Sequence, residues 1–319
     1  MKDLPALHAF SIAMPLDPQE DHVECGLESS PSASRPSFRS RFLASLCALF
    51  MLSGCGDEAG PKPKADDTKT TTQLRDRHSA YAGSSGDWSA FMDCWRKTSL
   101  ELYSKKPEAA RGLRHLTVLG RQTPGGPPGP AETELREGLA RLEARLKVEL
   151  PKSYKDFWIA YKSQSLAPQG FNPQNHSRSV GMLELHDVGL FKDLEPDYWA
   201  LKQTVPIHSD DHEYFSYGVA QDSVSGRTSD YGRAILIGRY ADDSTALILL
   251  HPHVRTSDGE MQASLNEHAG EFRAPSFAEL MRQLSILETV DVEHVPPYSQ
   301  KMLAGRCAAL LPMKNVWWD

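Results

Sequence analysis

The sequence predicts an α+β fold, a mixed or antiparallel sheet with helices packed on one side. Three observations carry that expectation. Residues 231–240 and 245–252 are two apolar runs rich in branched side chains around an Asp242-Asp243-Ser244 turn, which is a hairpin pattern. Within the second run, Ala246 to Leu250 shows no polar alternation, so this strand is expected to be central and covered on both faces. Helical patterns precede and follow the strands: a leucine stripe (Leu135, Leu139, Leu142, Leu146) before them, and a Ser276-Phe277-Ala278-Glu279 capping box after them.

The chain has 319 residues, 40% hydrophobic and 24% charged, enough for one good core with extra segments. Its net charge of -7 and pI near 6.0 argue against a nucleic-acid partner, which calls for a basic face. The five cysteines (Cys25, Cys47, Cys55, Cys94, Cys307) form no CxxC pair, so a zinc ribbon or thioredoxin-type site is not expected.

Residues 1–34 mix prolines, serines and acids and read as a non-native or disordered extension. Residues 35–54 read as a signal segment. Arg35, Arg39 and Arg41 precede an apolar run from Phe42 to Leu52 that closes on Leu52-Ser53-Gly54-Cys55. That run is too short to span a bilayer stably. The last four residues resemble the bacterial lipobox, which implies cleavage before Cys55, acylation of its thiol and a place in the cell envelope. Gly56 follows the cysteine, where enteric bacteria use Asp to retain lipoproteins in the inner membrane. In a Gram-negative host this points to the outer membrane, facing the periplasm. A secretory signal belongs near the initiator, so the true start is expected downstream of Met1, at a non-Met codon, since no methionine falls between Met14 and Met51.

Residues 55–85 are polar, rich in Pro, Gly and Thr, and balanced in charge: a disordered tether spanning on the order of 30 Å. Residues 86–122 form a helical extension in which Trp88, Phe91, Met92 and Trp95 share one face, expected to dock on the main domain because two exposed tryptophans would be a sticky patch. The Pro- and Gly-rich residues 123–130 then break regular structure.

The main domain is expected over residues 131–285, with a helix-bearing C-terminal extension over 286–319. After the leucine helix comes Leu150-Pro151-Lys152-Ser153-Tyr154-Lys155-Asp156-Phe157, where Pro151 ends one helix and suits the first turn of the next. Further along stand Tyr214, Tyr217-Gly218 and Gln221-Asp222; Leu249-Leu250 with Pro252; the tight-turn pair Asp258-Gly259 with Glu260; and the capping box, with Phe277, Leu280, Met281 and Leu284 facing inward. In this order the motifs resemble the SMI1/KNR4 family of the SUKH superfamily, over about half of the chain. The resemblance implies the same α+β fold and a non-enzymatic domain that grips a protein, often a toxin, as immunity proteins do.

Candidates for chemistry are few. His208 and His212, among Asp210, Asp211 and Glu213, have a spacing that could ligate a metal from one helical turn, but Pro206 and the tyrosines that follow favour a solvated acidic loop. His251 and His253 flank Pro252, with their rings expected to point oppositely, so a shared metal is not expected. No nucleophile elbow, Walker loop or dinucleotide fingerprint occurs. Neither a catalytic residue, a metal site, a cofactor nor a small-molecule substrate is therefore expected.

Charge is the remaining signal. Residues 207–260 hold nine acids against four arginines. Tyr214, Tyr217, Asp222, Asp242, Asp243 and Glu260 together would make an acidic, tyrosine-lined face that steers a basic partner. That partner is expected to be a protein, either a toxin met in the envelope or, alternatively, a wall or membrane protein gripped by a structural lipoprotein. Once the signal is removed and Cys55 acylated, Cys94 and Cys307 remain, and an exported chain could join them in a disulfide.

Overall fold

The computed structural model describes residues 81–105, 119, 126, 128–164, 181–239, 246–267, 270–289 and 307–313. The extension 1–34, the signal segment 35–54, Cys55, most of the tether, and Asp242 and Asp243 lie outside them. The chain supplies α1 (Ser85–Lys105), α2 (Glu132–Leu146) and α3 (Lys152–Ser163), then two short strands, β1 (Gly181–Met182) and β2 (Gly189–Leu190). A run of short helices follows: α4 (Phe191–Leu194), α5 (Pro196–Thr204), α6 (Asp211–Tyr214) and α7 (Thr228–Tyr231). The remaining strands are β3 (Ile235–Arg239), β4 (Leu247–Arg255), β5 (Met261–Glu267) and β6 (Gly270–Ala274), closed by α8 (Phe277–Thr289) and a 3-10 turn, Cys307–Leu310.

The expected α+β fold is present, with a sheet that is antiparallel at every described pairing. Its order is β1-β3-β4-β5-β6, with β2 also paired to β3. The hairpin reading holds for β3 and β4, which pair through Ile235↔Leu250 and Arg239↔Leu247. As expected, β4 is central and has cover on both faces. Successive residues of a strand point to opposite sides, and here Ile248 and Leu250 join one apolar cluster while Leu247 and Leu249 join another.

The first cluster is the main core, and α1, α3 and α8 build it. Phe277, Leu280, Met281 and Leu284 point inward from α8, and Ser276 Oγ accepts the Glu279 N–H at 3.2 Å, which closes the cap expected there. The docking face of α1 lies at the centre: Trp88 meets Phe157 and Phe277 edge-on or tilted, at centroid distances of 5.1 and 5.7 Å. Four large, fully buried side chains (Trp88, Phe91, Met92, Trp95) come from that one helix. Each such burial contributes about 1.5–3 kcal/mol. The C-terminal turn is pinned to the same helix, for Cys94 and Cys307 are joined by a disulfide with Cα atoms 5.5 Å apart.

Three expectations are corrected. The end of the expected disordered tether, 55–85, is ordered, for Tyr81 is buried in the main core and pairs with Met313. The boundary 131–285 cuts through the core, since Trp88, Trp95, Cys307 and Leu311 belong to the same buried cluster as Phe157 and Leu280. Helices also lie on both faces of the sheet and not on one side alone: the long helices lie on one, and residues 191–231, with their short helices, lie on the other. There Phe191, Tyr198 and Tyr231 pack on Leu236, Leu247 and Leu249.

Two motifs that are distant in sequence meet at the start of α3. A left-handed residue is required in the turn between β4 and β5, and Gly259 supplies it with φ +85°. The turn delivers Glu260 to the first turn of α3, where its carboxylate accepts the Ser153 N–H at 2.9 Å and the Ser153 hydroxyl. A carboxylate suits a helix N-terminus, whose first N–H groups lack partners within the helix. Burial nevertheless pushes the Glu260 carboxyl up, to about 7, with the Ser153 hydrogen bonds opposing the rise.

Candidate functional site

The chemistry-bearing side chains gather beneath the cover formed by residues 191–231. Along β5 the polar residues Gln262, Ser264 and Asn266 alternate with Met261, Ala263 and Leu265; Glu271 and Arg273 do the same on β6. The apolar residues of β5 join the helical core, and the polar ones point the other way. Such alternation ordinarily marks a face turned to water. Here the cover lies over it, and Gln262, Ser264, Asn266, Glu271, Arg273 and His251 are all buried.

Hydrogen bonds from the cover satisfy much of this layer. Tyr217 donates to Gln262 Oε1 at 2.8 Å, and Gln262 Nε2 donates to the Tyr214 hydroxyl at 2.8 Å. Tyr231 donates to Glu271 Oε2 and Tyr198 to Asn266 Oδ1, each at 2.6 Å. Arg273 donates to the carbonyls of Ser225 and Tyr214. Two guanidiniums lie against the Tyr214 ring, with Arg227 4.4 Å and Arg273 5.1 Å from its centroid. Among the described residues, His251 Nδ1, Asn266 Nδ2, Glu271 Oε1 and one Arg273 amino nitrogen are buried without a hydrogen-bond partner.

His251 is the group closest to catalytic chemistry. Its Nε2 lies 2.8 Å from Ser264 Oγ and 3.6 Å from Glu271 Oε1. A nucleophilic relay needs the serine and the acid on opposite ring nitrogens; here both face the same one. Burial holds the His251 imidazole down, to about 4, against the pull of Glu271, so it is neutral near pH 7. The two histidine rings share a side, with centroids 6.3 Å apart, which corrects the expectation that they point oppositely. Residues i and i+2 of a strand face the same way. They still do not converge on a common centre, because His253 turns to Asp230, 2.9 Å away. Burial works to raise Asp230, but the hydrogen bond and charge of His253, with the Tyr214 hydroxyl, outweigh it and bring the carboxyl to about 2.

The expected acidic, tyrosine-lined face is redrawn by these contacts. Tyr214 and Tyr217 are buried because they hold Gln262, and Glu260 is buried because it caps α3. Of that set only Asp222 is exposed among the described residues. Asp210 and Glu213 are exposed near it, on the stretch that Ser209 N–H joins to Gly226 O at 3.0 Å. The expected loop at residues 208–213 contains a one-turn helix, α6, capped by Asp210, which accepts the Glu213 N–H at 2.9 Å. His208 and His212 are exposed there, and no group of three metal-ligating side chains occurs among the described residues.

On the helical side a cleft of about 430 Å³ is lined by Ser84, Arg136, Leu139, Glu143, Lys152 and Lys155, with Asp156. Its cations are paired: Lys155 meets Glu143 at 3.2 Å, Lys152 meets Asp156 at 2.5 Å, and Arg136 meets Glu132 at 2.6 Å. No described helix is long and apolar enough to cross a membrane. No family model matches the chain, and neither a curated protein nor a solved structure matches it.

Proposed function

We propose that this chain is a lipid-anchored, non-enzymatic protein-binding module of the cell envelope, acting as an immunity protein that grips a basic toxin. One observation carries the binding half. The side chains able to do chemistry, His251, Ser264 and Glu271, are sealed beneath a cover whose outer surface presents Asp210, Glu213 and Asp222. A reacting group needs contact with its substrate, whereas exposed acids act at a distance and speed the capture of a basic protein. The resemblance to the SUKH superfamily supports the same reading. The anchor rests on Leu52-Ser53-Gly54-Cys55, and the Cys94–Cys307 disulfide suits an oxidising compartment outside the cytoplasm.

The anchor is tested by labelled palmitate, which is expected to enter the wild-type chain and not the Cys55→Ala variant. Binding is tested with a photo-crosslinking residue placed at Asp222 or, on the helical side, at Glu137, in living cells. A specific, salt-sensitive adduct at position 222 and none at 137 is expected. Equal yields at both positions would contradict the placement.

A further inference from the structure

Among the described residues the sheet ends at β6, and the outward backbone groups of Glu271 and Arg273 do not meet a strand. The Gln221 side chain takes the place of one. Its Nε2 donates to the Arg273 carbonyl at 2.8 Å, and its Oε1 accepts the Arg273 N–H at 2.5 Å. Two residues on, the Ser223 carbonyl accepts the Glu271 N–H at 2.7 Å. One carboxamide thus makes the paired bonds to a single residue that an adjoining antiparallel strand would make. The fit is close: a Cβ at Gly270 would lie 2.9 Å from the Ser223 carbonyl oxygen.

We infer that the β6 edge is a strand-addition site, occupied at rest by residues 221–223 and open to an extended, basic segment of a protein partner. The inference rests on the protein-binding reading above and names its surface. An exposed strand edge recruits other chains, and proteins ordinarily blunt it with charge, proline or a bulge. Here it is filled by groups that reproduce strand pairing, so an incoming strand regains each hydrogen bond that it displaces. The plug is lightly held, with Asp222, Ser223 and Val224 exposed and Val224 at 61%. Segments with few buried contacts open at low free energy. The occupant is extended because only extended backbone repeats the bonding pattern. It is basic because Asp222 sits on the plug itself, with Asp210 and Glu213 on the neighbouring stretch.

The test uses the full chain in detergent and a labelled hexapeptide of alternating lysine and valine, with binding followed by fluorescence anisotropy. Gln221→Ala removes the competing carboxamide and is expected to tighten binding about ten-fold, the effect of one to two ordinary hydrogen bonds. The same peptide N-methylated on the backbone nitrogens that would pair is expected not to bind. Gln221→Asn, too short to bridge both Arg273 groups, gives the same result by a milder change if the alanine variant melts early. Equal binding of the methylated peptide would reduce the site to charge capture and overturn the proposal. Gln221→Ala with unchanged affinity would overturn it as well, and so would self-association of that variant without a gain for the peptide, which would make Gln221 a guard against a second copy of the chain. If the strand test fails while the adduct at position 222 still forms in cells, the edge is wrong and the protein-binding reading stands. If both fail, the reading falls too.

Discussion

The two faces of the sheet are built on different principles. The helical face is a dry aromatic packing: α1, α3 and α8 bring Trp88, Phe157 and Phe277 together, and the Cys94–Cys307 disulfide ties the C-terminal turn to α1. The cover face is half apolar, on Leu236, Leu247 and Leu249, and half a hydrogen-bonded polar layer on β5 and β6. Apolar burial is non-directional and stabilises roughly in proportion to the area removed from water. A polar layer contributes little net stability, and it holds only one arrangement, since each displaced partner leaves a buried group unsatisfied. The helical face therefore anchors the fold, and the cover face, which adds less net stability, is the one expected to open first.

The largest expected effect is on folding itself. A fragment of residues 131–285 loses α1 and the C-terminal turn, and with α1 go four fully buried large side chains. At about 1.5–3 kcal/mol each, their loss is comparable to a typical net stability of about 5–15 kcal/mol. The fragment is expected to lack a cooperative melting transition by circular dichroism, whereas residues 81–313 fold. A cooperative melt of 131–285 would show that the helical face is not the anchor.

Next is the disulfide. It spans 213 residues of sequence, and the chain-entropy model gives about 5 kcal/mol for a loop of that size, with about 2–5 kcal/mol ordinarily found. Serine at both Cys94 and Cys307 is expected to lower the urea midpoint clearly, and reduction of the wild-type chain should do the same. An unchanged midpoint would mean that the turn holds without its tie.

A third expectation separates the faces by pH. Glu260, raised to about 7 from 4.5, binds a proton more readily in the folded state, so its contribution is full below pH 4.5 and lost as pH rises to about 7. His251, lowered to about 4 from 6.5, works the other way: its contribution is full above pH 6.5 and lost as pH falls to about 4. Each is on the order of 3 kcal/mol, and the two oppose each other between pH 4.5 and 6.5. Glu260→Gln is expected to leave a chain that weakens on acidification through this window. His251→Gln is expected to leave one that strengthens. Parallel pH slopes in the two variants would contradict the opposing burial of these groups.

The smallest effect is expected at the cover. Tyr217→Phe removes one hydrogen bond to Gln262 and leaves its oxygen buried, for a loss of about 1–3 kcal/mol. Denaturant titration measures it, and a loss near zero would mean that the polar layer is loosely held.

The helical face was legible in the sequence because apolar periodicity carries it: the α1 stripe, the Ala246–Leu250 run and the α8 capping box all appear where their spacing places them. The cover face was not. The alternation at Met261–Asn266 reads as a face open to water, and nothing local shows that residues 191–231 return across it. Tyr214 and Tyr217 lie among acids and read as surface residues, yet Gln262 draws them inward. Glu260 misleads in the same way, since the helix N-terminus that it caps lies 107 residues earlier. Polar contacts distant in sequence leave no periodic trace, which is why the core was readable and the candidate site was not.

Amide hydrogen exchange resolved by residue tests the contrast between the faces most directly. The amides of Glu271 and Arg273, bonded to the 221–223 plug, and those of residues 207–226 are predicted to exchange through a local opening of low free energy. The amides of α1, α8 and the interior of β4 are predicted to exchange only with global unfolding. If the plug and cover amides are as protected as those of α1 and α8, the molecule opens as one unit, and a separately movable cover face is contradicted.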